Sequence, residues 1–306
     1  MTQFIIRRLL QLIPVLLGVT ILVFSLMHLT PGNPAVIMAG ESAPEATVKA
    51  IEARLGLNDP LYEQYFRFLG NVVQLDFGSS IRDNIPVFDH IKARFAITRE
   101  LPVISMIFSI FWGLLVGIIS AVRKYTFEDV AMMVIALFGL SMPNFWLGLM
   151  LIQWFAIEFP IFKPTGWGSL EQNVLPVITL GTAGAAIIAR MTRSSMLDVI
   201  DQDYIRTARA KGVKEGSVIL RHALKNALIP VITVVGIQFG SFLAGSVLTE
   251  SVFAINGLGR LIIDSILQRD FPVVQGAILV IAVVFVLVNL IVDISYRLLN
   301  KRVDLN

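Results

Sequence analysis

Long apolar runs alternate with short polar connections along most of the chain. An α-helix needs about 20 apolar residues to cross about 30 Å of hydrocarbon. Six runs that lack Asp, Glu, Lys and Arg approach or exceed this length, and they cover residues 9–29, 101–122, 130–157, 174–189, 227–249 and 273–292. The pattern predicts an all-α polytopic membrane protein with six transmembrane helices. Arg7 and Arg8 precede the first run, but it exceeds a typical signal-peptide core and lacks a small-residue cleavage site, so we expect a retained helix.

The polar segment between the first two runs predicts short helices joined by turns. Pro44 and Gly56 bracket one helix, and Asp59 is expected to cap the next, with Pro60 at its first position. A last apolar stripe, after Pro86, consists of Val87, Ile91 and Phe95. The sequence therefore predicts three parts: residues 1–29 with the first span, a helical extracytoplasmic segment 30–99, and a five-helix core 100–306.

Composition and charge agree with this membrane interpretation. The chain has 306 residues, of which 56% are hydrophobic and 15% charged, and a mean hydropathy of +0.76. With both termini in the cytoplasm, fifteen of the 25 basic residues fall on the cytoplasmic side, as the positive-inside rule predicts. The net charge of +3 then reflects membrane orientation and gives no indication of nucleic-acid binding. The chain has no cysteine, which excludes disulfides and thiolate metal sites.

Prolines, small residues and polar groups interrupt the apolar runs. Pro143 lies in the middle of the third run and predicts a kinked helix, while Gly113 and Gly117 are spaced for close helix packing. Polar side chains in these runs either satisfy the helix backbone or line a solute path. The candidates for the path are Ser141, Asn144, Thr179, Thr182, Gln238 and Ser241.

Several chemistries have no visible basis in the sequence. Ion-coupled carriers usually need ionisable groups inside the membrane, whereas the acidic residues nearest the runs, including Glu250, lie at their ends. No Gly-x-x-x-x-Gly-Lys-Ser/Thr loop, His-Glu-x-x-His pair or Gly-x-Ser-x-Gly elbow occurs. We therefore expect no catalytic residues, no metal site and no cofactor in this chain, which is not expected to be an enzyme.

The only sizeable cytoplasmic connection, residues 190–226, contains a short predicted helix. Asp201 or Asp203 is expected to cap this helix, and Gly212 to end it. From composition alone the segment is either a solvated basic loop or a structured element. Its sequence from Tyr204 to Gly212, followed by His222-Ala223-Leu224 and Asn226, resembles the coupling loop of binding-protein-dependent ABC importer permeases.

The general loop of that family reads Glu-Ala-Ala, three residues, Gly, nine residues, Ile-x-Leu-Pro. Ala208, Gly212 and Leu224 match this pattern. This chain departs from the pattern at four positions: Arg206 replaces Glu, Thr207 replaces the first Ala, His222 replaces Ile and Lys225 replaces Pro. The chain is more similar to the peptide-permease branch, in which Asp-Tyr-x-Arg-Thr-Ala-Arg-Ala-Lys-Gly and Arg-His-x-Leu-x-Asn-Ala are familiar.

The likeness to this branch extends along nearly the whole chain. It includes the Arg-Arg-Leu start and segments 30–34, 55–61, 76–80, 189–196, 250–253, 257–260 and 269–274. One departure is Asn256, where the family often has Pro. The resemblance implies a type I ABC importer permease fold in a bacterial or archaeal inner membrane.

The resemblance also implies a function and partners. The chain would move peptides, or related solutes such as glutathione, by alternating access. It would assemble with a second permease (as a heterodimer), two cytoplasmic ATPases that bind ATP and Mg²⁺, an extracytoplasmic binding protein and membrane lipid. Segment 30–99 is then either a helical cap or a docking surface for the binding protein. The residues expected to couple ATPase and permease are Tyr204, Arg206, Thr207, Ala208, Arg209, Gly212, His222 and Leu224. The alternatives are a stand-alone channel or secondary carrier, and a membrane scaffold or receptor that transports nothing.

Overall fold

A computed structural model describes residues 2–29, 33–40 and 43–299; the Thr30-Pro31-Gly32 motif and the basic residues Lys301 and Arg302 lie outside them. The helices are α1 Thr2–Leu29, α2 Pro34–Ala39, α3 Glu45–Leu55, α4 Leu61–Val73, α5 Val87–Val122, α6 Phe127–Ser141, α7 Asn144–Ile152, α8 Leu170–Ile200, α9 Asp203–Ala210, α10 Glu215–Ser217, α11 Leu224–Val252, α12 Leu258–Leu267 and α13 Phe271–Leu299. Wider π-helical turns follow α7 at Gln153–Glu158 and precede α11 at Val218–Ala223.

Five helices in the described part of the chain are long and apolar enough to cross a membrane, and a sixth span results if α6 and α7 cross together. These two helices meet at 102° around Met142 and Pro143. Proline lacks an amide hydrogen and disfavours the helical conformation at the preceding residue, and Met142 is extended at φ −78° and ψ 131°. The kink predicted at Pro143 is confirmed, and it is a complete break between two helices.

In segment 30–99 the predicted cap at Asp59 is wrong, and the apolar stripe after Pro86 belongs to a longer helix. Asp59 does not cap α4, because Pro60 occupies the N-cap position and the Asp59 carboxylate pairs instead with Arg67 across the first turns of the helix. The stripe that begins at Val87 and the second span are one continuous helix of 36 residues. No glycine or proline separates them before Pro102, so the backbone hydrogen bonds continue through the predicted boundary at 99.

The chain divides into two compact units. The first comprises residues 1–96 and 256–287. Its core is formed by buried apolar side chains of α5, α12 and α13, namely Val87, Ile91, Leu258, Leu261, Val273 and Ala277. Within this unit α4 lies against α1, where the Tyr65 hydroxyl is 2.9 Å from that of Thr20.

The second unit comprises residues 97–255 and the chain from Val288 onward. Its central helix is α8, against which α6, α7 and α11 pack. Helix α5 approaches α8 closely because two glycines of α5 face α8. An added Cβ at Gly117 would lie 2.6 Å from the Ala189 carbonyl oxygen, and one at Gly113 would lie 2.6 Å from Ile188. The small residues predicted to allow close packing therefore do so at this contact.

Gly117→Ala is expected to destabilise the protein by about 1–3 kcal/mol, the usual cost of forcing extra volume into a packed site. The added methyl meets backbone, which moves less readily than a side chain. Gly70→Ala is the matched control, because Gly70 lies inside α4 with nothing within 4 Å of an added Cβ, and helix propensity favours alanine there by about 1 kcal/mol. Thermal unfolding in detergent should therefore separate the variants in opposite directions, and equal midpoints would contradict the packing argument.

Candidate functional site

The predicted helix of the polar loop is α9, which follows α8 after a connection of two residues. The helix formed by the fourth apolar run extends beyond residue 189, because α8 continues to Ile200. Gln202 occupies the N-cap position of α9, so the predicted caps Asp201 and Asp203 are wrong. Gly212 has φ +74°, a left-handed conformation that glycine adopts without strain, and it turns the chain away just after α9.

One side chain fixes α9 to the rest of the second unit. Ile205 is fully buried in a cluster with Ala121 of α5, Met196 of α8, Val218, and Ala223 and Ala227 near the start of α11. Complete burial of an Ile side chain is worth about 1.5–3 kcal/mol, and the contacts reach three long helices. A single apolar cluster therefore attaches α9 to α5, α8 and α11.

Polar contacts fix the orientation of α9. Asn226 donates a 2.8 Å hydrogen bond from its Nδ2 to the Tyr204 hydroxyl. Arg209 donates from Nη2 to Glu215 Oε1 at 2.7 Å and from Nε to Oε2 at 3.1 Å. This carboxylate raises the pKa of Arg209 above its ordinary value. These two contacts join α9 to the segments that follow it, so α9 is an exposed helix with a fixed orientation.

The predicted coupling residues divide between two faces. Tyr204, Arg206, Thr207, Arg209 and Gly212 are exposed. Ala208 and Leu224 pack against the cluster around Ile205, and His222 is half-buried. The exposed group forms a basic surface, whereas Ala208 supports the attachment of α9 to its own chain.

The candidate path residues are spread over α6, α7, α8 and α11. Thr179 is fully buried and Thr182 half-buried, and each donates its hydroxyl to a carbonyl of its own helix, at 2.8 and 2.6 Å. Ser141 and Ser241 are exposed and bond in the same way. Asn144 and Gln238 are half-buried. In this conformation Thr179 faces a packed helix contact.

Buried charges inside the long helices were missed by sequence reasoning. Asp129 near the start of α6 is 2% exposed and Glu250 near the end of α11 is fully buried. Arg193 of α8 bonds Asp129 through two hydrogen bonds of 2.7 Å, and Thr98 of α5 donates to Glu250 at 2.9 Å. Both acids lie at or near the ends of uncharged runs, where the sequence gives no sign of burial.

Five to six apolar spans among the described residues, and an exposed helix attached to three of the long helices, are features expected of a membrane permease subunit. Two family models agree with this class. Residues 113–305 match the binding-protein-dependent transport system inner membrane component, and residues 1–102 match the N-terminal part of the same membrane components. The chain belongs to this family of ABC importer permeases, whose members are transport permeases and not enzymes.

Similar proteins extend over the full length of the chain. The glutathione transport system permease protein GsiC of Escherichia coli K12 is 45% identical over 303 residues, which is 99% of each chain. The dipeptide transport system permease protein DppB of Alkalihalophilus pseudofirmus is 46% identical over 332 residues, again with 99% of each chain covered. Among solved structures, inward-facing forms of the MetNI methionine ABC transporter give TM-scores of 0.58 and 0.59 at 19% and 18% identity, and cover 69% of this chain and 96% of theirs. This likeness supports the fold.

Proposed function

We propose that the chain imports peptides, or small relatives of peptides such as glutathione, as one of two permeases in an ABC importer. The 45–46% identity to a glutathione permease and a dipeptide permease over almost the whole length supports this substrate class. The second permease is a different chain, and an extracytoplasmic binding protein delivers the solute. Two ATPases bind ATP and Mg²⁺, which this chain does not hold.

The observation that carries the proposal is the geometry of α9. Its basic face is exposed, and its opposite face is fixed to three long helices by Ile205. A rigid exposed helix of this kind fits a groove on a partner ATPase, whose acidic side chains would pair with Arg206. Closure of the ATPases then moves α9, and the packed helices shift between two arrangements.

The charges of the chain support an orientation with both termini in the cytoplasm. Segment 190–226 carries eight basic residues, a concentration that favours the cytoplasmic side of a membrane. With six spans, both termini lie on that same side. Polar residues exposed or half-buried on α6, α7 and α11, such as Ser141, Asn144, Gln238 and Ser241, are the candidates to line the path between the two permeases.

The test is import by the complete complex in proteoliposomes. The purified permease pair, ATPases and binding protein should take up labelled dipeptide or glutathione only when ATP is enclosed with the ATPases. Omission of the ATPases is the control and should abolish uptake. Uptake by the permease alone would instead indicate a channel or secondary carrier. Purification that recovers no ATPase would indicate a scaffold or receptor.

A further inference from the structure

A buried ion pair joins two helices of the second unit close to α9. The Arg193 guanidinium of α8 donates to both carboxylate oxygens of Asp129 in α6, from Nε and Nη2, at 2.7 Å each. The Asp129 side chain is 3% exposed and that of Arg193 24%. Such a bidentate pair fixes the relative orientation of its two elements as well as their distance. We call it the Asp129–Arg193 clamp.

Further donors complete the clamp. The Ser120 hydroxyl of α5 donates to Asp129 Oδ1, and the backbone amide of Tyr125 donates to Oδ2 at 2.9 Å. Tyr125 holds φ +64°, a conformation that non-glycine residues seldom adopt, and in it the amide points at the carboxylate. The carboxylate thus accepts four hydrogen bonds that connect α5, the turn 123–126, α6 and α8.

The clamp is continuous with the attachment of α9. Ser120 precedes Ala121, and Met196 follows Arg193 by one helical turn; Ala121 and Met196 both contact the buried Ile205 cluster. A second tie lies outside the cluster, where Lys124 Nζ is 3.7 Å from Asp201 Oδ2 just before α9. The end of α5 and the end of α8, which Ile205 contacts, are therefore the elements that the clamp binds to α6.

We propose that the Asp129–Arg193 clamp transmits the displacement of α9 to α6, and through the break at Pro143 to α7. This inference rests on the proposed function, since it assigns positioning residues to the same coupling element. Without the clamp, α9 still moves α5 and α8, but among the described residues no other hydrogen bond or ion pair joins α6 to α8, so this contact rests on apolar packing. Apolar contacts are not directional, so α6 can lag behind.

The test separates coupling from stability. Arg193→Lys keeps the charge but loses the two-pronged geometry, and Asp129→Asn removes the charge with little change of shape. We expect both to lower the solute imported per ATP about fivefold or more, the lower range of coupling between sites, while ATP is still hydrolysed. The control is Arg190→Lys, one turn earlier in α8, because Arg190 is exposed and has no ion-pair or hydrogen-bond partner among the described residues. A clamp that only stabilises the fold would lower the unfolding temperature and leave import per ATP unchanged, which would overturn the inference.

Rescue by a covalent link provides a second measurement. The chain has no cysteine, so Asp129→Cys with Arg193→Cys can be joined by a short bismaleimide when the partner subunits are cysteine-free. Linked protein should recover import per ATP relative to the same variant with each thiol blocked singly. Failure to recover overturns the positioning role. An Ile205→Asp variant tests the proposed function separately: if it stays coupled, the role of α9 fails, whereas if it uncouples and the clamp variants do not, the clamp inference alone fails.

Discussion

Ile205→Asp is expected to abolish coupled import, with the largest effect of any single substitution in the loop. The side chain is fully buried in the cluster that joins α9 to α5, α8 and α11. A carboxylate there would be an unpaired buried charge. Its burial would cost far more free energy than the packing of a short helix contributes. We expect α9 to leave its site, and ATPase closure then no longer moves the spans. Ile205→Ala should have a smaller effect and lower the stability of the α9 attachment by about 2–5 kcal/mol.

Two measurements check this result against a matched control. Leu220→Asp adds the same charge to the loop outside α9, at a side chain that is 61% exposed. Trypsin should cleave after Arg206, Arg209 and Lys211 faster in Ile205→Asp, whereas Leu220→Asp should keep the parent rate. ATP-driven uptake in proteoliposomes should fall to background in Ile205→Asp. A variant that keeps both the parent cleavage rate and the parent import per ATP would contradict the assigned role of Ile205.

The sequence predicted the spans, the break at Pro143 and the position of α9, because each depends on local chemistry. Apolar run length identifies helices that can cross a membrane, and proline removes a backbone hydrogen bond from a helix interior, although α5 and α8 continue through Pro102 and Pro176. Gly212 was predicted to end α9, and its φ of +74° agrees. The division into 1–29, 30–99 and 100–306 stays a prediction.

The direction of side chains could not be predicted in the same way. Ala208 matches the family pattern and was assigned to the ATPase contact, yet it packs on the Ile205 cluster. Ile205, the only aliphatic residue larger than alanine in α9, was not singled out. Its importance depends on Ala121, Met196 and Val218, which are distant in sequence. Asp129 was overlooked because its partner Arg193 lies 64 residues away.

Glu250→Ala is expected to destabilise the protein strongly. Glu250 is fully buried near the end of α11, and its Oε1 accepts a 2.9 Å hydrogen bond from the Thr98 hydroxyl of α5. Thr98 is itself 6% exposed, so the substitution leaves a buried hydroxyl without this acceptor and opens a cavity. Together these effects should cost about 3–5 kcal/mol. Glu250→Gln keeps an acceptor oxygen and most of the volume, and should lose less.

Ser251→Ala is the control for this effect. Among the described residues the Ser251 hydroxyl donates to the Val247 carbonyl of its own helix and to no other group, so its removal should change stability little. Thermal unfolding followed by tryptophan fluorescence gives the midpoints. A double-mutant cycle with Thr98→Val isolates the contact between α5 and α11. If Glu250 stabilises the unit through Thr98, its replacement by alanine should cost less in the Thr98→Val background than in the parent. Equal costs in the two backgrounds would show that Glu250 is held by its surroundings in α11 and does not tie the helices together.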